Sequence, residues 1–85
     1  MTYLVEFAPL AQRQFKKHGR ETQKRLLGRI EALSSNPRPP GVKKLADGRD
    51  LYRVRIGEFW VIYQLRGREL IMLIVKIGHR REIYS

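Results

Sequence analysis

The 85-residue sequence contains no cysteine, which excludes disulfide bonds and thiolate metal sites. Only two histidines are present, and without cysteine we therefore expect no zinc site. The lack of cysteine fits a reducing cytoplasm, which is where we expect the protein. The longest apolar run, Leu70–Val75, is too short to span a bilayer. The first residues carry an acid and no cationic leader, so we expect no signal peptide.

Acidic residues are scarce. Eight Asp and Glu stand against eighteen Lys and Arg, which leaves a formal net charge of +10. Residues 1–41 and residues 42–85 each contribute +5, so the excess belongs to the folded body and not to a tail. Such an excess costs self-repulsion and usually reflects a polyanionic partner. A basic surface without a dedicated partner is the alternative that composition leaves open.

The hydrophobic pattern of the first half predicts a strand and two helices. Residues 2–7 alternate in the manner of a strand. Pro9 suits the first turn of a helix, which we expect to end at Gly19. An apolar stripe at helical spacing, Leu26, Leu27, Ile30 and Leu33, predicts a second helix, Glu21–Ser34. The Pro-rich segment 36–41 terminates that helix.

The second half predicts three strands. Residues 51–56, 59–65 and 70–77 are rich in β-branched and aromatic side chains. Short segments of hairpin length separate them. The whole chain, residues 1–85, is therefore predicted to form a single α+β domain in the order β-α-α-β-β-β. A two-helix hairpin packs on one face of a small twisted antiparallel sheet.

The two-residue connection Gly57-Glu58 fixes a register between two strands. It predicts Arg55 opposite Trp60 and Arg53 opposite Ile62. Because side chains alternate along a strand, one face packs under the helices and the other faces outward. The predicted inner face comprises Tyr52, Val54, Ile56, Phe59, Val61 and Tyr63. The predicted outer face comprises Arg53, Arg55, Trp60, Ile62, Leu73 and Val75.

Arg53 and Arg55 lie two residues apart on one strand and must point the same way. A guanidinium binds phosphate oxygens in two-pronged geometry, so this pair is a candidate phosphate grip. A merely solvated outer sheet face is the alternative. Trp60 can be a platform on which a base stacks, although a lone strand Trp is more often a half-buried packing residue.

The closing segment Gly78–Tyr84 is the densest cluster of ionisable groups. Cleavage of a phosphodiester by its own 2′-hydroxyl needs a proton acceptor, a proton donor and cations for the developing charge. His79 can serve as acid or base, whereas Arg80 and Arg81 can only stabilise charge. Tyr84 offers a hydroxyl and a stacking ring. The alternative is a frayed basic terminus.

The sequence resembles the RelE/ParE toxin superfamily over essentially its whole length. The matching pieces, in order, are Tyr3–Phe7, Val42–Leu45, Leu51–Phe59, Val61–Tyr63 and Gly78–Tyr84. Each piece is a weak pattern alone, and their order and spacing together are fairly specific. Members of the RelE type cut messenger RNA in the ribosomal A site through 2′-hydroxyl attack. The resemblance implies the same cleavage here, without metal or cofactor, giving a cyclic or 3′ phosphate and a 5′-hydroxyl.

The resemblance also implies partners and residue roles. The partners are messenger RNA on the ribosome and an antitoxin whose acidic or amphipathic segment covers the basic face. The paired basic strand positions of the family correspond to Arg53 and Arg55, its arginine after the last strand to Arg80, and its terminal tyrosine to Tyr84. The expected catalytic set is Arg53, Arg55, His79, Arg80 and Tyr84. The residues expected to contact RNA are Lys43, Lys44, Trp60 and Arg81.

Two departures from the family pattern bear on activity. RelE itself has lysines at the paired positions, and arginine does not readily lose a proton. That duty shifts to His79, or else electrostatics carry the reaction. Trp60 stands where the family often has a further arginine. Two alternatives therefore stay open: a DNA gyrase poison of the ParE branch, which generally lacks the basic-plus-Tyr ending, and an inactive member that only binds its antitoxin.

Overall fold

A computed structural model describes residues 2–45 and 49–79. Two helices pack against a five-stranded sheet. The sequence predicts the two helices and four of these strands, and the fifth is a short additional one. The elements are β1 (Leu4–Phe7), α1 (Pro9–Lys16), α2 (Arg20–Ser35), β2 (Lys43–Lys44), β3 (Leu51–Ile56), β4 (Phe59–Arg66) and β5 (Ile71–His79). The extra strand β2 lies within Val42–Leu45, one of the segments that carry the family resemblance.

The strand order is β1-β5-β4-β3-β2. Strands β2 to β5 are antiparallel to their neighbours, whereas β1 pairs with β5 in parallel. The sheet is therefore mixed and not antiparallel throughout as predicted. Alternation shows that a segment is a strand but carries no information on the direction of its partner, and here the partner is the last strand of the chain.

The helices begin and end close to the predicted residues. Pro9 occupies the first turn of α1, where its missing N–H costs no hydrogen bond. Helix α2 buries Leu26, Ile30 and Leu33 against the sheet. Leu27, which the predicted apolar stripe included, is 37% exposed. The core-facing surface of α2 is thus a narrow one.

The inner face of the sheet carries the core, and the predicted inner-face residues are all buried or packed against it. The rings of Tyr52 and Tyr63 stack with centroids 5.6 Å apart. The Tyr63 hydroxyl donates a hydrogen bond to the Pro37 carbonyl oxygen, and Arg38 Nε donates one to the Tyr52 hydroxyl at 2.9 Å. These bonds tie the Pro-rich loop to the sheet. Burial, with Tyr52 nearby, raises the pKa of Tyr63 to about 12.

A β-bulge interrupts the pairing of β4 with β5. Ile62 lies opposite Lys76 whereas Tyr63 lies opposite Ile74, so Val75 has no opposite residue. The amide of Ile77 donates to Gln14 Oε1 of α1 at 2.7 Å, which satisfies a backbone group beside the irregularity. The bulge corrects the predicted outer face, because Lys76 and not Val75 stands beside Ile62. None of the helices within the described residues is long and apolar enough to cross a membrane.

Candidate nucleic-acid interface

The hairpin register is the predicted one: Arg55 lies opposite Trp60 and Arg53 opposite Ile62. Cross-strand pairing arranges the outer face in rows that run at right angles to the strands. One row is Lys43, Arg53, Ile62 and Lys76, and the next is Arg55, Trp60 and Gly78. We call these two rows together the cationic half of the outer face.

The guanidinium of Arg53 lies over the indole ring of Trp60, with Cζ 4.7 Å from the ring centroid. Both side chains are half-buried. This is a cation–π contact, which is worth about 0.5–2 kcal/mol depending on desolvation. Arg53 Nε is buried and has no hydrogen-bond partner among the described residues. Trp60 is therefore a half-buried packing residue, which is the commoner role of a lone Trp on a strand. Its ring packs against the guanidinium of Arg53.

Arg55 is exposed and lies in the turn region of the hairpin. Its Nε donates to the carbonyl oxygen of Gly57 at 3.0 Å. Gly57 has a φ of 59°, the left-handed conformation that glycine adopts without strain. Arg55 lies on the same face of the sheet as Arg53, about 7 Å further along the strand.

The two lysines of β2 lie on opposite faces of the sheet. Lys43 is opposite Arg53 and joins the cationic half, whereas Lys44 is opposite Tyr52 of the inner face. Lys44 Nζ lies 3.6 Å from Asp50 Oδ1 and 6.0 Å from the centre of the Tyr52 ring. The structure brings Lys43, but not Lys44, to Arg53.

His79 is the last described residue, and it lies on the helix-facing side of the sheet. It is opposite Phe59, whose ring it meets edge-on at 5.5 Å between centroids. His79 Nε2 is 3.3 Å from Glu58 Oε2. His18 packs against the same Phe59 ring, with the two ring centroids 4.8 Å apart. The structure thus separates His79 from Arg53, and Arg80, Arg81 and Tyr84 lie outside the described residues.

The other half of the outer face, away from the cationic half, has a central row without basic residues. That row is Glu6, Leu73, Gln64 and Leu51. The row beyond it contains Arg66, whose Nε donates to Gln64 Oε1, whereas four cations, Lys43, Arg53, Arg55 and Lys76, lie at the end of the sheet where β5 finishes. Sequence patterning missed Lys76 in this set, because the bulge that places it there leaves no mark on the hydrophobic alternation.

The chemistry available to the cationic half is anion binding and charge stabilisation. Guanidinium and ammonium groups grip phosphate oxygens and neutralise charge that develops on them. Neither arginine can serve as a base at neutral pH. Among residues 2–45 and 49–79, no group of three His, Asp or Glu side chains is gathered that could hold a metal ion. The predicted absence of a metal remains a prediction.

The protein is an α+β domain with basic residues on the outer face of its sheet. Comparison with known proteins identifies the family to which such a domain belongs. The family of ParE toxins of type II toxin–antitoxin systems, parDE, matches residues 5–84. The chain therefore belongs to the RelE/ParE superfamily of type II toxins.

Relatives of the RelE type are also similar to this chain. A Methanocaldococcus jannaschii protein named "Putative toxin RelE1" is 39% identical over 59 residues, which cover 66% of each chain. The Pyrococcus horikoshii RelE of a RelE–RelB complex superposes with a TM-score of 0.80 at 28% identity, covering 94% of this chain and 97% of that one. The Escherichia coli RelBE complex gives a TM-score of 0.78 at 19% identity, covering 91% and 95%; at that identity the likeness concerns the fold alone.

Proposed function

We propose that this toxin is a ribosome-dependent endoribonuclease that cuts messenger RNA in the A site and so inhibits translation. The observation that carries the proposal is the cationic half of the outer face. There Arg53 is held on Trp60, Arg55 and Lys43 lie beside it, and the chain continues from β5 at the same end. A rigid sheet with fixed guanidinium groups is suited to gripping a phosphodiester before the reaction begins.

The proposed reaction is a metal-free transesterification. The 2′-oxygen forms a bond to phosphorus, the bond from phosphorus to the 5′-oxygen breaks, and a proton passes from the 2′-hydroxyl to the leaving oxygen through the enzyme or water. The products are a cyclic phosphate and a 5′-hydroxyl. Arg53, Arg55 and Arg80 hold the scissile phosphate and neutralise the charge that develops on its oxygens.

Proton transfer is assigned to the end of the sheet. His79 lies beside Glu58 and away from Arg53, so an acid or base at this residue acts at the edge where β5 ends and not from the outer face. The alternative is that arginine electrostatics carry the reaction without a side-chain base. In either case Tyr84 orients a base or the 2′-hydroxyl, and Lys44, Trp60 and Arg81 remain expected RNA contacts.

The partner that controls this activity is an antitoxin. The Pyrococcus horikoshii and Escherichia coli structures are toxin–antitoxin complexes. A segment with acidic side chains complements a domain of net charge +10. Covering the cationic half would remove the phosphate grip, and we place both the complex and the free toxin in the cytoplasm.

A gyrase poison is the second candidate function. The observation that favours it is the match to the ParE family over residues 5–84, since ParE toxins act on gyrase and not on RNA. A catalytically weak member that mainly binds its antitoxin is the third candidate, favoured by Trp60 in place of a further arginine.

Induction of the toxin in growing cells, followed by mapping of 5′ ends on translated messages, separates these functions. Cuts phased with codons support the proposed ribonuclease. Intact messages together with stabilised DNA breaks contradict it and support the gyrase target. Intact messages with intact DNA identify the binding module. The double variant Arg53→Ala/Arg55→Ala is the matched control, because it should abolish the cuts while leaving the core untouched.

A further inference from the structure

The β-bulge at Val75 changes which residues of β5 face outward. Met72 and Ile74 are fully buried on the inner face, and uninterrupted alternation would turn residue 76 inward after them. Instead Lys76 is exposed and Ile77 is buried. One extra residue thus delivers a lysine to the outer face and returns the next residue to the core.

Lys76 completes a line of cations across four strands. Ile62 separates it from Arg53, and Lys43 lies on the far side of Arg53. With neighbouring strands about 4.8 Å apart, the line from Lys43 to Lys76 measures about 14 Å at the backbone. Among the described residues, no carboxylate oxygen pairs with any of these three cations.

Repulsion within such a line of like charges destabilises the folded protein when no partner is bound. Like charges directly opposite each other on neighbouring strands destabilise a sheet, and Lys43 lies directly opposite Arg53. The row without such charges, Glu6 to Leu51, shows that the outer face does not require cations for its packing. A linear polyanion that crosses the strands would offset the repulsion in every position of the line at once.

We propose that Lys76 is an RNA-binding residue that contacts a backbone phosphate next to the one held by Arg53. The single-stranded message then crosses the sheet at right angles to the strands, from Lys43 over Arg53 to Lys76. This inference rests on the proposed ribonuclease function. It adds a contact that depends on the bulge and sets the direction in which the RNA lies.

The test is a titration of the full-length toxin with a 2′-O-methyl RNA oligonucleotide, which binds without being cut. Lys76→Gln is compared with Lys24→Gln, which removes the same charge from an exposed position of α2. Anisotropy is measured at several salt concentrations, and thermal melts verify that both variants fold. Lys76→Arg is included because it keeps the charge.

Lys76→Gln should bind several-fold more weakly, and the slope of log K against log salt should become shallower by about 0.7, the value for one phosphate contact on a single strand. Lys76→Arg should behave as the parent, and so should Lys24→Gln. Equal affinity and slope for Lys76→Gln and Lys24→Gln would overturn the inference while the parent still cleaves messages. A parent protein that neither binds this RNA nor cleaves messages would overturn the proposed function as well.

Discussion

The guanidinium of Arg53 rests on the indole of Trp60, with Cζ 4.7 Å from the ring centroid. The ring is a surface that limits the orientations open to the neighbouring cation. A guanidinium that is already held loses less conformational freedom when it meets a phosphate. On the proposed function, Trp60 therefore also positions Arg53, in addition to its expected contact with RNA.

Removal of the ring at residue 60 should weaken the grip on RNA. We expect Trp60→Leu to lower message cleavage by about two- to thirty-fold, which corresponds to the 0.5–2 kcal/mol of a cation–π contact. Trp60→Phe keeps an aromatic face and should retain most of the activity. The measurement is the cleavage rate in a purified translation reaction, with Gln64→Ala from the non-basic row as the control. Equal rates for Trp60→Leu and Trp60→Phe would show that the stack has no part in activity.

In the closing segment, we expect Arg80 to stabilise charge and His79 to transfer a proton. Arg80→Ala should slow cleavage more than it weakens ribosome binding, because its charge is needed most where charge develops. His79→Gln should slow cleavage by about 10²–10⁴-fold and flatten the pH profile if His79 is the acid or base. Tyr84→Phe tests positioning, since it removes the hydroxyl and keeps the ring. Single-turnover cleavage and ribosome co-sedimentation give the two readings, and full cleavage by Arg80→Ala would disprove its assignment.

The bulge should depend on Gln14. Gln14→Leu leaves the Ile77 amide without its acceptor, and we expect a loss of about 1–3 kcal/mol in the free energy of unfolding. Gln14→Glu keeps an acceptor oxygen and should cost less. Denaturant titration measures both, and hydrogen exchange at the Ile77 amide should be faster in the leucine variant alone. Identical stabilities would mean that the bulge is held by other contacts.

Stability should fall in strong alkali because of Tyr63. Its pKa is about 12 in the folded protein and about 10 in an unfolded chain. Below pH 10 both states keep the proton, so the stability is fully present. As the pH rises from about 10 to about 12, the unfolded state loses its proton first and gains up to about 2–3 kcal/mol relative to the folded state.

The matched variant for this test is Tyr63→Phe, which lacks the titrating hydroxyl and its bond to Pro37. It should be less stable than the parent at neutral pH by about 1 kcal/mol, and it should lose less stability between pH 9 and about pH 12. Guanidinium unfolding across this range gives both values. Parallel curves for the two proteins would refute the raised pKa.

The sequence predicts those parts of the fold that local rules determine. A two-residue turn fixed the register of β3 with β4, and with it the shared face of Arg53, Arg55 and Trp60. The bulge was not predictable, because a one-residue insertion is set by pairing with β4 and by the side chain of Gln14, 63 residues away. The bulge explains why Lys76 was missed, and it places His79 on the helix-facing side of the sheet. The same limit applies to β1, whose parallel partner lies at the other end of the chain.

The parallel pairing of β1 with β5 joins Leu4 to Ile71 and Phe7 to Ile74. Contacts between residues so far apart in the sequence slow folding, because a long loop must close before they can form. Because β5 is synthesised after β1, the side of β1 that packs on the core, with Val5 and Phe7, stays uncovered until β5 has been made.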